Sequence, residues 1–195
     1  MVTRTTSEAT REKILLAATT LFLARGYAQT TTRDITKALN MTQPALYHYF
    51  GDKEALFVEV IKRVGQQIAT DMQLVLAKTY EQPITQLVDM TQVIVTRHPR
   101  DVFTLIHGSF SDLSSASQRE LGAVFGRDYV APIAQFFGQE AIKLRHHIDP
   151  KIASSFYITS LAPLFSEFHA INNEQTMTER IQQLLDLILY GVAQR

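Results

Sequence analysis

Apolar residues recur along this chain at intervals of three and four, and strict apolar/polar alternation is absent over any useful length, so the pattern predicts helices and no sheet. Capping residues punctuate the periodic segments and divide them into nine expected helices. The first spans about Ser7 to Arg25, burying Ile14, Leu15, Ala18, Leu21 and Phe22 before Gly26 ends it. Two short helices follow, and a fourth runs from about Asp52 to Lys78 with Phe57, Ile61, Val64, Ile68 and Val75 along one side. Rising about 1.5 Å per residue, it is long enough to link two domains. Further helices are expected over Pro83 to Arg97, Pro99 to Asp112, and Gln118 to Arg145, the last opened by a Ser117/Glu120 capping box and bent or broken at Pro132. Asp149 and Pro150 open an eighth ending near Ile171, and Thr176 with Glu179 boxes a ninth reaching about Ala193.

The stretch Thr31 to Phe57 holds the most information. Thr31 with Asp34 three residues later is close to a capping box for a helix whose Ile35 and Leu39, at i and i+4, turn inward. Arg33 and Lys37 then face water or an anion, and Asn40 suits the left-handed residue that ends a helix. After the turn Asn40-Met41-Thr42, Thr42 caps the next helix and Pro44 sits in its first turn, where a missing amide costs nothing. Leu46 and Phe50 pack back on Ile35 and Leu39, leaving Gln43, Ala45, Tyr47 and His48 outside.

Two short helices sharing a small core across a three-residue turn make a helix-turn-helix, whose second helix enters the major groove by its N-terminal end. Gln43 lies at that end. A glutamine pairs with the edge of adenine, and Thr42 or Pro44 touches a thymine methyl, whereas Tyr47 and His48 reach phosphates and Lys53 adds a positive clamp.

The segment Ile14 to Phe57 resembles the N-terminal DNA-binding domain of the TetR family of transcriptional regulators. The resemblance rests on Ala17-Ala18, Phe22, Gly26-Tyr27, the Thr-Thr-Arg-Asp-Ile helix start, Leu46-Tyr47-His48-Tyr49-Phe50 and Lys53-Glu54-Ala55-Leu56. It implies phosphate contact for Thr32, base or phosphate contact for Arg33, base contacts for Thr42, Gln43 and Pro44, and phosphate contacts for Tyr47, His48 and Lys53. Two positions depart from the family pattern: Thr36 stands where Ala is usual, and Leu39-Asn40 where Ala-Gly is frequent. Beyond this segment the resemblance is one of helical layout alone.

The last two helices are apolar on wide faces. Ile181, Leu184, Leu185, Ile188, Leu189 and Val192 follow helical spacing on the ninth, while Phe156, Tyr157, Ile158, Leu161, Leu164, Phe165 and Phe168 cover more than one side of the eighth. Periodicity alone suits the subunit's own core equally well. The resemblance implies a homodimer, with Phe156, Leu164, Phe168 and the stripe of the ninth helix paired in a four-helix bundle. Between the linking helix and that bundle lie Phe103, Ile106, His107 and Phe110, then Phe125, Tyr129, Phe136 and Phe137. Such a lining is ordinary core in most proteins. It also suits a small apolar or aromatic effector touching Phe103, Phe110 and Phe125, with His107 or Tyr129 as polar handle.

Other constellations carry less. His146-His147 with Asp149 lacks the i, i+4 geometry of a zinc pair, and a contact with a helix C-terminus is expected there instead. Arg97, His98 and Arg100 read as a solvated turn. No Gly-rich phosphate loop, nucleophile elbow or His-Glu-x-x-His occurs, so neither enzyme activity, metal nor cofactor is expected.

Composition changes the picture only in its distribution. Residues 1–63 hold nine Lys or Arg against six Asp or Glu, residues 64–195 ten against thirteen, so the neutral chain is basic at the end assigned to DNA. Zero cysteines excludes disulfides and thiolate metal sites. Residues 1–10 are polar and no apolar run approaches a membrane span, so a cytoplasmic protein without membrane contact is expected. The resulting expectation is an all-α chain: a helix-turn-helix DNA-binding domain over 1–51 and an effector-binding and dimerisation domain over 52–195, linked by helix 52–78. Its partners would be double-stranded DNA, a second copy and a small-molecule effector, the last releasing a repressor from a palindromic operator. The alternatives are a helical carrier or enzyme for a small molecule, or a regulator that activates or answers to a protein.

Overall fold

A computed structural model describes residues 2–98, 108–165 and 175–190, with side chains from Ser7 onward. Regular structure among them is entirely helical: α1 (Val2–Gln29), α2 (Thr32–Ala38), α3 (Gln43–Phe50), α4 (Lys53–Leu76), α5 (Pro83–Arg97), α6 (Ser115–Phe125), α7 (Ala131–Phe137), α8 (Pro150–Ser160) and α9 (Met177–Tyr190), with a π turn at Gly126–Val130. The described residues form two compact units, one drawn from 1–64 and 104–124, the other from 65–103 and 125–195.

In the first unit, α1 leaves the helical path at Gly26 (φ 81°, ψ 173°), where the sequence places its end; that φ strains any residue with a Cβ. Ile14, Leu15, Ala18, Phe22 and Leu23 form its buried face, Leu23 taking the place expected for Leu21. The predicted capping box of α2 is present in both directions: Thr31 Oγ1 accepts from the Asp34 amide at 3.2 Å, and Asp34 Oδ2 accepts from the Thr31 amide at 2.9 Å. Asn40 is left-handed (φ 51°), as expected of the turn. Thr42 has the extended backbone of a cap but, contrary to expectation, makes no capping hydrogen bond. Ile35, Leu46 and Phe50 close the core between α2 and α3, while Leu39 is half-buried and Thr36 is the inward residue beside Ile35. Asp52 starts α4 by accepting from the Ala55 amide at 2.7 Å. Phe57 of α4 meets Phe22 and Tyr27, with ring centroids 5.1 and 5.0 Å apart. The ion pairs Arg11–Glu59 (3.1 Å) and Arg63–Glu12 (2.6 Å) run between α1 and α4 at its rim.

The start of α6 corrects the sequence reading. Ser114, not Ser117, occupies the cap, its Oγ accepting from the Ser117 amide at 3.3 Å. Glu120, the expected box partner, pairs instead with Lys62 of α4. Ser114 in turn donates its amide and hydroxyl to Glu54 of α4, at 3.0 and 2.5 Å, which holds that carboxyl below its usual range.

In the second unit, α5 has the predicted bounds and packs against α9; Leu87, Met90 and Ile94 of the one and Ile181 and Leu185 of the other are fully buried. The single helix expected over Gln118 to Arg145 is replaced by α6, the π turn and α7. Pro132 has no amide for the ordinary ladder, and the helix widens just before it: the Ala131 amide bonds back to Gly126 O. Gly138 then ends α7, so His146 and His147 lie in a turn and not at a helix end. Asp149 caps α8 as read, accepting from the Lys151 and Ile152 amides at 2.8 and 2.9 Å. α8 stops at Ser160, short of the expected Ile171, and a 3₁₀ turn at Ala162–Phe165 carries Pro163. The Thr176/Glu179 box opens α9, at 3.3 and 2.7 Å. Most of the expected Pro99 to Asp112 helix and everything beyond Phe165 in the eighth, up to residue 174, lie outside the described residues.

Candidate nucleic-acid interface

The α3 helix buries Leu46 and Phe50 and turns its other sides out, because a helix of eight residues on a small core has only one stripe to hide. Thr42, Pro44, Tyr47 and His48 are exposed, as is Arg33 on α2, and Gln43 is half-buried. His48 lies edge-on to Tyr49, with centroids 5.5 Å apart.

Three of the residues expected to touch DNA also touch each other. Gln43 Nε2 donates to Thr32 Oγ1 at 3.0 Å, and the same oxygen lies 3.2 Å from the Tyr47 hydroxyl. Thr32 is therefore 8% exposed and sits beneath the other two. Lys53 stands at the first turn of α4 with its Nζ 4.1 Å from the centroid of the Tyr27 ring. Burial there pulls the ammonium below its ordinary value, against the pull of the Asp112 carboxylate. Arg11 is occupied with Glu59 and with the face of the Phe50 ring, 4.7 Å away, and so props α3 from behind.

Residues 14–60 match the family model described as bacterial regulatory proteins, tetR family. Residues 14–60 thus form a TetR-type DNA-binding head. The chain is similar over its length to the transcriptional repressor DhaR of Mycobacterium sp. (strain GP1), 24% identical over an alignment of 189 positions, with 92% of each chain covered. The fold is that of a TetR transcriptional regulator from Legionella pneumophila, with TM-score 0.76 at 17% identity over 92% of this chain and 97% of that one. It is also that of AibR, solved in complex with isovaleryl coenzyme A and operator DNA, with TM-score 0.67 at 20% identity over 93% and 98%.

Behind the TetR-family head, the residues expected to hold an effector are placed unevenly. Phe103 and His107 lie outside the described residues, and Phe110 is half-buried in the first unit. In the second unit Phe125 stacks on Tyr129, centroids 5.5 Å apart, and Tyr129 is fully buried. Its hydroxyl lies 2.8 Å from Nε2 of His98. His98 overturns the expectation of a solvated turn: it is 1% exposed, burial lowers its pKa to about 4, and its Nδ1 has no hydrogen-bond partner among the described residues. Arg97 beside it is equally committed, to Asp71 at 2.6 Å. Nothing in the local pattern marks His98 as buried, since the tyrosine that receives it is 31 residues away.

The expected dimer residues also divide. Leu164, Ile181 and Leu185 are buried within this chain. Leu184, Ile188 and Leu189 are half-buried, while Phe156 is 58% exposed. Ile152 on α8, with Leu187 and Tyr190 on α9, is exposed too and was not foreseen. Phe168 and Val192 lie outside the described residues. The apolar stripe of α9 is wider than the face α5 covers, so one edge is inside and the other out.

Proposed function

We propose that this chain is a homodimeric repressor that grips a palindromic operator with two copies of α3 and lets go when a small apolar or aromatic ligand occupies its second unit. The observation that carries the reading is the outward end of α3, where Gln43, Pro44, Tyr47 and His48 crowd one short exposed surface with Lys53 and Arg33 at its margins. In this reading Thr42, Gln43 and Pro44 meet bases, Arg33 a base or a phosphate, and Thr32, Tyr47, His48 and Lys53 meet phosphates or hold those that do. The head over 1–51 is the DNA-binding domain and 52–195 the effector and dimerisation domain, working in the cytoplasm.

The exposed Phe156 and the outer edge of α9 support a second copy, which would cover apolar surface that this chain leaves in water. The buried His98–Tyr129 pair beside Phe125 supports a ligand site with polar handles in an apolar surround. AibR carries both an acyl-coenzyme A and operator DNA, which supports coupling of the two kinds of partner on this fold. The ligand changes DNA affinity by no more than its own preference for the released conformation.

Binding of an enriched DNA fragment should weaken by about 10³ to 10⁵ between 50 and 200 mM salt if the dimer neutralises about 6 to 10 phosphates, and one compound of a screened set should release it. Binding that ignores salt, or catalytic turnover untouched by DNA, would overturn the proposal.

A further inference from the structure

Gln43, Thr32 and Tyr47 form a small hydrogen-bond system whose atoms can be counted. Gln43 donates through Nε2 into Thr32 Oγ1, so its carbonyl oxygen Oε1 is the amide atom left without a partner in this system. The Thr32 and Tyr47 hydroxyls share one hydrogen between them at 3.2 Å. Two hydroxyls have two hydrogens, so whichever oxygen donates, one hydrogen remains for an outside acceptor. The reversed amide gives a different count: Thr32 would spend its hydrogen on Oε1 and Tyr47 would spend its own on Thr32. No hydroxyl hydrogen would then remain, and the amide would present only donors.

We propose that Thr32 is a positioning residue that sets which base α3 selects, by holding the Gln43 amide with Oε1 outward while keeping one hydroxyl hydrogen of the Thr32–Tyr47 pair for a phosphate. This rests on the reading of α3 as the helix that enters the major groove. An outward carbonyl oxygen accepts from the amino group of adenine or cytosine and is repelled by the carbonyl oxygens of guanine and thymine. Adenine ranks first, because the second amide hydrogen then reaches its N7. Holding the amide before binding also removes part of the cost of ordering a long side chain at the interface.

The test is selection of bound fragments from random DNA by the full-length chain and by Q43A, T32V, T32S and Y47F, scored as base preference at each position and as the salt dependence of affinity. The wild-type protein should enrich an A·T pair over G·C at one position of each half-site, the position that Gln43→Ala relaxes. In T32V, which keeps the shape of the side chain and loses the hydroxyl, that preference should fall about tenfold, and T32S should restore it. Y47F should leave the preference intact, because Thr32 still accepts from the Gln43 amide, and should leave the salt slope unchanged, because a neutral hydroxyl releases no counterion. A G·C pair enriched by the wild-type chain at the position that Gln43→Ala relaxes, where a donor-only amide would select guanine, overturns the proposal even if T32V fails to fold. So does a T32V protein, folded by circular dichroism, with unchanged preference. Enrichment of no sequence at all would instead overturn the reading of α3 on which the proposal stands.

Discussion

Gln43 is held by a neutral hydroxyl and Lys53 by an aromatic face, and the two restraints suit different work. A fixed amide discriminates between base edges, whereas an ammonium sliding on a ring follows any phosphate. Gln43→Ala should therefore cost about 1–3 kcal/mol on the preferred sequence and relax preference at one base step. Lys53→Ala should weaken all sequences about equally and reduce the salt slope by about one unit. Titrations on preferred and scrambled fragments at several salt concentrations separate the two. His98 supplies a prediction of another kind. Buried, it stays neutral down to about pH 4, while the unfolded chain takes up its proton near the ordinary value of about 6.5. Between those values the unfolded state binds more protons, so stability is fully present above about pH 6.5 and lost as pH falls toward 4, by about 3 kcal/mol. Urea unfolding across that window measures it, and His98→Gln should flatten the slope. The outward placing of Tyr47 and His48 was legible in the sequence, because helical spacing assigns faces. The bond between Thr32 and Gln43 was not, since it joins two helices across eleven residues and leaves no local trace. His98 was hidden for the same reason.

At the scale of the element, what was legible is what is local. Thr31 with Asp34 and Thr176 with Glu179 are four-residue patterns, and both boxes formed as read. Thr31→Ala should cost about 0.5–2 kcal/mol, read as a lower denaturation midpoint, because α2 loses the acceptor for its Asp34 amide. The Ser117/Glu120 pattern failed although it has the same form. Ser114 lies three residues earlier and caps equally well, and Lys62, distant in sequence, draws Glu120 away. Pro132 announced an interruption; that it would take the form of a widened turn presenting Tyr129 to His98 depended on packing no proline reveals. Pro163 closely follows the early end of α8 in the same way: its ring and missing amide cannot extend a helix, and apolar periodicity continuing past it drew the expected boundary too far.

For the whole molecule, the decisive property is which apolar surface the chain leaves uncovered. Leu185 is fully buried and Phe156 is not, so substitutions at the two should part company. Leu185→Asp should destroy the fold, by burying a charge without a partner. Phe156→Asp should leave helicity intact, convert dimer to monomer in sedimentation, and lower operator affinity as the second copy of α3 is lost. A footprint on an enriched fragment asks the central question most directly, namely whether two copies of α3 enter one duplex. The account predicts two protected patches related by a two-fold axis, centred about 34–36 Å apart, both erased from that fragment by Gln43→Ala. A single patch, or equal protection of unrelated DNA by the wild-type chain, would contradict it.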